Sequence, residues 1–225
     1  MANSRKTIVF IISLIAYFIY LSISRAFISS MIAATDTILA VVFVYIGSAI
    51  GIFVVLYTQA AVKYFYTSRF LRTAKVFATV PIEKVRFLDR LMIYILPALS
   101  IIVPLMQTRS LSAVTPDSLI FTAAVIVIVE ILFIVHKNSM MAYVTDKGIL
   151  IRGIDLRLEL PISSNYSNPS GYFHFERIIN FLDLNDRLQI EQSYDLGVIT
   201  LKGDPETLKQ IKAVLLANKV IQKKY

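Results

Sequence analysis

The chain has 225 residues, of which 56% are hydrophobic and 17% charged, with a formal net charge of +8 and no cysteine. Soluble globular chains carry about 25% charged residues, so the composition argues against a wholly soluble protein; the missing cysteines exclude disulfides, thiol nucleophiles, iron–sulfur ligation and cysteine zinc sites. The charge is uneven: Met1 to Val135 holds 11 Lys/Arg against 5 Asp/Glu, a net of +6, while His136 to Tyr225 holds 12 against 10, a net of +2. A basic excess concentrated in the apolar half points to membrane topology before nucleic acid.

A membrane-crossing helix needs about 20 mostly apolar residues. The first such run starts at Ile8, behind Arg5 and Lys6, and extends over residues 8–28. No small-x-small cleavage site follows, so it is predicted to be a retained helix rather than a signal peptide. The second span, 37–62, contains no charge. Within it Gly47 and Gly51 lie four apart, a spacing that lets two helix backbones approach closely, either inside the bundle or at a seam between protomers. The third span, 91–106, is short and carries Pro97 and Pro104; membrane helices tolerate proline where neighbours re-satisfy the freed carbonyls. The fourth, 119–135, encloses Glu130, an acid at membrane depth that fits either a side chain reaching the interface or a buried functional carboxylate.

Between the second and third spans, residues 63–90 hold Lys63, Arg69, Arg72, Lys75, Lys84, Arg86 and Arg90 against Glu83 and Asp89. The other two connections carry only Arg25 and Arg109, so the positive-inside rule places both termini and this basic loop in the cytoplasm of a multi-pass cell-membrane protein. Tyr66, Phe70, Ala74 and Phe77 recur at helical spacing beside the basic residues, as expected of a segment that prolongs the second span or lies along anionic headgroups. The bland alternative is that the basic residues only fix topology.

From residue 138 the pattern changes to short alternating stretches divided by turns. Strands are predicted at Met140–Thr145, Ile149–Arg152, Leu156–Leu160, Phe173–Phe175, Ile178–Leu184, around Leu188–Ile190, and at Val198–Lys202. Leu156, Leu158 and Leu160 alternate with Asp155, Arg157 and Glu159, which predicts a half-buried strand with its charges in water. Asp204 followed by Pro205 is a helix-start signal, and Leu208, Ile211 and Leu215 give that helix an apolar face.

Seven short strands followed by one helix resemble the pleckstrin-homology (PH) fold, in particular the PH-like modules of uncharacterised prokaryotic multi-pass membrane proteins, archaeal ones among them. The resemblance rests on Tyr143 through Leu150 as the first hairpin, on Phe175-Glu176-Arg177-Ile178, and on the Val198–Lys202 strand with its following helix. Phe175 stands where such modules frequently have tryptophan. The resemblance implies a bent barrel closed by a helix, residues 138–225 forming a cytoplasmic binding domain after a four-helix membrane domain of residues 1–137. It also implies binding of headgroups or a protein partner, with Lys147, Arg152 and Arg157 as candidate contacts.

No HExxH, P-loop, GxSxG or GxGxxG motif occurs, and His136 and His174 are isolated in sequence. No catalytic, cofactor or metal site is therefore expected. The expected role is a membrane-anchored scaffold or regulator, possible as a homo-oligomer, without nucleic-acid binding; the rival is a small transporter using Glu130 and the kinked third span.

Overall fold

The computed structural model describes residues 2–32, 37–82, 87–111, 114–159, 168–193 and 197–223. Helix α1 (Ala2–Ile32) and helix α2 (Thr37–Leu71) form an antiparallel hairpin. The two helices approach closely around Gly51. The Tyr20 hydroxyl donates to the Gly47 carbonyl, and a Cβ on Gly51 would lie 3.0 Å from Tyr17 Cε2. Gly51 thus packs against α1 of the same chain.

Helix α3 (Phe87–Thr108) and helix α4 (Pro116–Ser139) form the second hairpin. The Thr122 hydroxyl donates to the Pro97 carbonyl at 3.3 Å, a side-chain bond to the proline-bearing stretch of α3. Thr115 caps α4 by accepting from the Ser118 amide, with Pro116 in the first turn. Among the described residues three helical stretches are long and apolar enough to cross a membrane: Lys6–Phe27, Ala49–Leu71 and Pro116–Ser139.

The β-rich part draws on both halves of the sequence. Within the expected basic connection, Val76–Pro81 forms strand β1, which pairs antiparallel with β2 (Met141–Thr145). Alternation explains why: Ala78, Val80 and Ile82 point inward and are buried while Thr79 and Pro81 are exposed. β3 (Gly148–Arg152) and β4 (Gly171–His174) complete a sheet ordered β1-β2-β3-β4. β5 (Ile178–Asp183), β6 (Arg187–Gln192) and β7 (Val198–Lys202) form an antiparallel meander in a second sheet. Helix α5 (Pro205–Ala217) follows, and β8 (Ile221–Lys223) adds to β5 in parallel. Among the described residues one bridge, Ile82 to Leu201, joins the two sheets. Leu208, Ile211 and Leu215 of α5 close the core between them, as their spacing predicts.

Two expectations change here. Residues 76–82 belong to the β-rich unit, so that unit is discontinuous and does not begin at 138. The strand expected over 156–160 does not form within its described part: residues 154–159 run in irregular extended chain, as part of the connection from β3 to β4. They leave the sheet and enter the helices.

Candidate functional site: an ionic seat between helices and sheets

Gly153, at the end of β3, touches the end of α4: a Cβ there would lie 2.5 Å from the Ser139 carbonyl oxygen and 2.7 Å from Met140 Cα. From this contact the chain turns in among the helices, and side chains take the place of a neighbouring strand. The Ser139 hydroxyl accepts from the Ile154 amide at 3.0 Å, and His136 Nδ1 accepts from the Leu156 amide at 3.2 Å. Lys63 Nζ donates to the Arg157 carbonyl at 2.8 Å. Gln59 holds both backbone groups of Glu159, accepting from its amide at 2.8 Å and donating to its carbonyl at 3.2 Å. Gln59 also donates to the Ser13 hydroxyl on α1 at 3.2 Å. Buried backbone donors and acceptors must be paired, and here helix side chains do it. Between these anchors Leu156 fills a gap among Leu56, Ile93, Val129 and Phe133, joining the core of the helical part.

The charges of the segment point inward as well. Arg157 donates to both carboxylate oxygens of Asp155, from Nε at 2.8 Å and from Nη2 at 2.9 Å, a bidentate pair. Lys63 Nζ lies 3.5 Å from Asp155 and 3.9 Å from Glu159. All four side chains are nearly or fully enclosed, so the seat balances two cations against two carboxylates away from water. Burial pushes the Asp155 carboxyl up, yet Arg157 and Lys63 outweigh it and hold the group well below its usual range. His136 Nδ1 accepts a hydrogen bond and so carries no proton; its 3.7 Å approach to Asp155 is a dipolar contact and not an ion pair. Arg157 also donates to the Asn168 carbonyl at 2.8 Å, and Asn168 accepts from the Thr200 amide of β7 at 2.6 Å. One short segment therefore ties α1, α2, α4 and the second sheet together. Among the described residues no group of three or more His, Asp or Glu side chains is placed to hold a metal ion.

The residues singled out in the sequence divide into several fates. Lys63, expected to face headgroups, is fully buried in the seat, and Arg157, expected on a solvated strand face, is buried beside it. Arg152 also departs from a headgroup role: its guanidinium lies 4.4 Å from the Tyr64 ring centroid and its Nε donates to the Ser68 hydroxyl, clamping β3 to α2. Arg90 donates to Glu130 at 3.1 Å and lies over Phe133, so Glu130 is an ion-paired residue at the α3–α4 contact. Arg69, Arg72, Lys75 and Lys147 are exposed. Lys84 and Arg86 lie outside the described residues.

Sequence reasoning missed Ser13, Gln59, His136, Asp155 and Glu159 as members of one site. A signal existed for one of them: Gln59 sits one helical turn before Lys63, on one face of a continuous helix that the apolar run alone ended at residue 62. No protein-family model matches the chain, and neither the curated proteins nor the solved structures yield a match to it.

Proposed function

We propose that this chain is a multi-pass membrane scaffold that holds a PH-like binding module in fixed orientation on its membrane helices, with both termini in the cytoplasm. The observation carrying this reading is the seat of residues 153–159. A tethered domain needs only a linker, whereas here helix side chains take up the backbone of the module's own β3–β4 connection, and its charges are sealed inside. Such a joint suits transmission or presentation between two units and offers no exposed nucleophile–base pair for chemistry.

The strand pairing supports four crossings. β1 leaves α2 and β2 leaves α4, and the two are hydrogen-bonded neighbours, so α2 and α4 end on one side. A crossing by α4 then requires a second crossing between β1 and β2. Helix α3 has 22 residues, about 33 Å of rise, enough to supply it. The PH-like reading is supported by order: two meanders that total seven strands, β1 to β7, followed by the closing helix α5. The resemblance counted seven from the tail alone; β1 takes the place of the strand expected at 156–160.

The transport rival rested on an isolated intramembrane acid. Its charge is instead met by Arg90, which favours a structural role.

Because the chain has no cysteine, single cysteines report topology cleanly. Ser110→Cys is expected to react with a membrane-impermeant maleimide in intact cells, and Lys147→Cys only after permeabilisation. Labelling of Lys147→Cys in intact cells overturns the cytoplasmic module. A solute flux in proteoliposomes that Glu130→Gln abolishes would replace the scaffold with the transporter.

A further inference from the structure

Helix α2 continues past the ionic seat. From Lys63 to Leu71 it rises about 12 Å further, running beside β3 and β4. β1 covers the return from Val76 to Pro81, roughly 17 Å of strand, and Ile82 then donates to the Met140 carbonyl where α4 ends. The start of β1 and the turn between β2 and β3 therefore form the end of the module farthest from the ionic seat and from the end of α4.

Those two loops are fastened to each other. The Asp146 amide donates to the Lys75 carbonyl at 3.0 Å, and the Asp146 carboxylate accepts from the Lys75 amide at 3.2 Å. Arg72, Lys75 and Lys147 are thereby gathered, all exposed, while the nearby Asp146 charge is partly engaged by backbone. A bulge between Val76 and Ala78 breaks the strand alternation, and Val76 and Phe77 are exposed side by side at 39% and 44%. Lys75 Nζ lies 5.6 Å from the Phe77 ring centroid. Bulges re-aim side chains, and this one leaves an aromatic ring in water beside a cation.

We infer that this far end is a docking surface for a short acidic protein segment carrying an apolar side chain. The apolar pair gives such a segment an anchor, and the three cations steer it and fix its register. With the bilayer surface at the level of Lys63 and the end of α4, its own headgroups lie out of reach: the headgroup layer is about 5–8 Å thick and the Debye length about 8 Å, both shorter than the span of β1. An extended polyanion fits less well than a short peptide. Glu176 is exposed next to Phe175, whose amide bonds the Lys147 carbonyl, so the positive field is local. The orientation away from the bilayer rests on the scaffold reading; the surface itself does not.

The test uses the full chain in nanodiscs of phosphatidylcholine, with a fluorescein-labelled Glu-rich peptide bearing one central Phe, followed by anisotropy against empty nanodiscs. Saturable binding that weakens with salt is expected. Arg72→Glu/Lys75→Glu/Lys147→Glu should weaken it by about tenfold, and Phe77→Ala by a smaller factor without changing the salt slope. These side chains are exposed, so an unchanged thermal unfolding curve verifies the fold of each variant, and Lys147→Glu alone serves if the triple variant unfolds. Absent saturable binding, or binding equal in the charge-reversed protein, overturns the proposal. So does tighter binding of phosphatidylserine vesicles or duplex DNA than of the peptide. Both faces of a nanodisc are open to the probe, so this result is independent of which side of a cell membrane the module occupies.

Discussion

Enclosing a lysine ammonium costs several kcal/mol before any partner is counted, and Lys63 is fully enclosed. What offsets the cost is specific: a carbonyl at 2.8 Å and two carboxylates within 4 Å. The arrangement is therefore sensitive to loss of one member more than to loss of all. Lys63→Met keeps the bulk and leaves Arg157 alone to balance two buried carboxylates, so about 3–5 kcal/mol of stability should be lost. Gly153→Ala should cost about 1–3 kcal/mol, because its methyl would meet the Ser139 carbonyl and Met140 Cα, both backbone positions. Chemical unfolding in detergent micelles, with midpoints compared to wild type, measures both; wild-type midpoints would show that the segment is not seated. Neither residue was marked by its local sequence. Lys63 follows an uncharged run and reads as the boundary of a span, while Gly153 reads as a turn.

At the scale of elements, the decisive one is β1. Its interior face contributes Ala78, Val80 and neighbouring Ile82 to a core whose other members all come from residues 140–220. Fully burying a side chain of this kind contributes about 1.5–3 kcal/mol relative to exposure, and β2 would otherwise be an uncovered edge strand. An isolated fragment of residues 138–223 should therefore lack a cooperative thermal transition by circular dichroism. The same fragment with residues 72–82 fused ahead of it through a flexible linker should regain one. A cooperative transition in the short fragment would show that β1 is dispensable. The helical periods of α1, α2, α4 and α5 and most tail strands were legible because each pattern repeats within its own element. β1 was not, since six residues between two apolar helices carry a weak alternation that a basic, aromatic-rich neighbourhood masks. β8 is shorter still, three residues whose pairing with β5 arises only after α5 has folded back.

The whole molecule is joined through one charged segment, and its response to pH follows from the carboxyl at its centre. Asp155 is held below its ordinary value of 3.8 when folded, because Arg157 and Lys63 prevail over burial. A lowered carboxyl contributes stability in full above its unfolded value and loses it as the pH falls through the folded one. Hydrogen exchange of residues 154–159, after correction for intrinsic rates, should therefore accelerate as the pH falls below about 4 and the Asp155 charge is lost. Protection unchanged down to about pH 2 would show that the Asp155 charge does not hold the segment.

By itself the sequence determined where the long apolar helices lie, that a β-rich unit with a closing helix follows, and where α5 begins. Each of these is a local matter: hydrophobic period, run length and capping residues act within a few positions of one another. The tertiary structure alone decided that β1 joins the sheet and that Asp155, Arg157 and Glu159 turn inward. Alternation over 155–160 is equally consistent with charges in water and charges in a seat. Only partners about 100 positions earlier, Lys63 and Gln59, make the buried arrangement favourable. Arg157 balances Asp155 from two positions away, but the second cation that lets both carboxylates go inside, Lys63, lies in α2, beyond any local window.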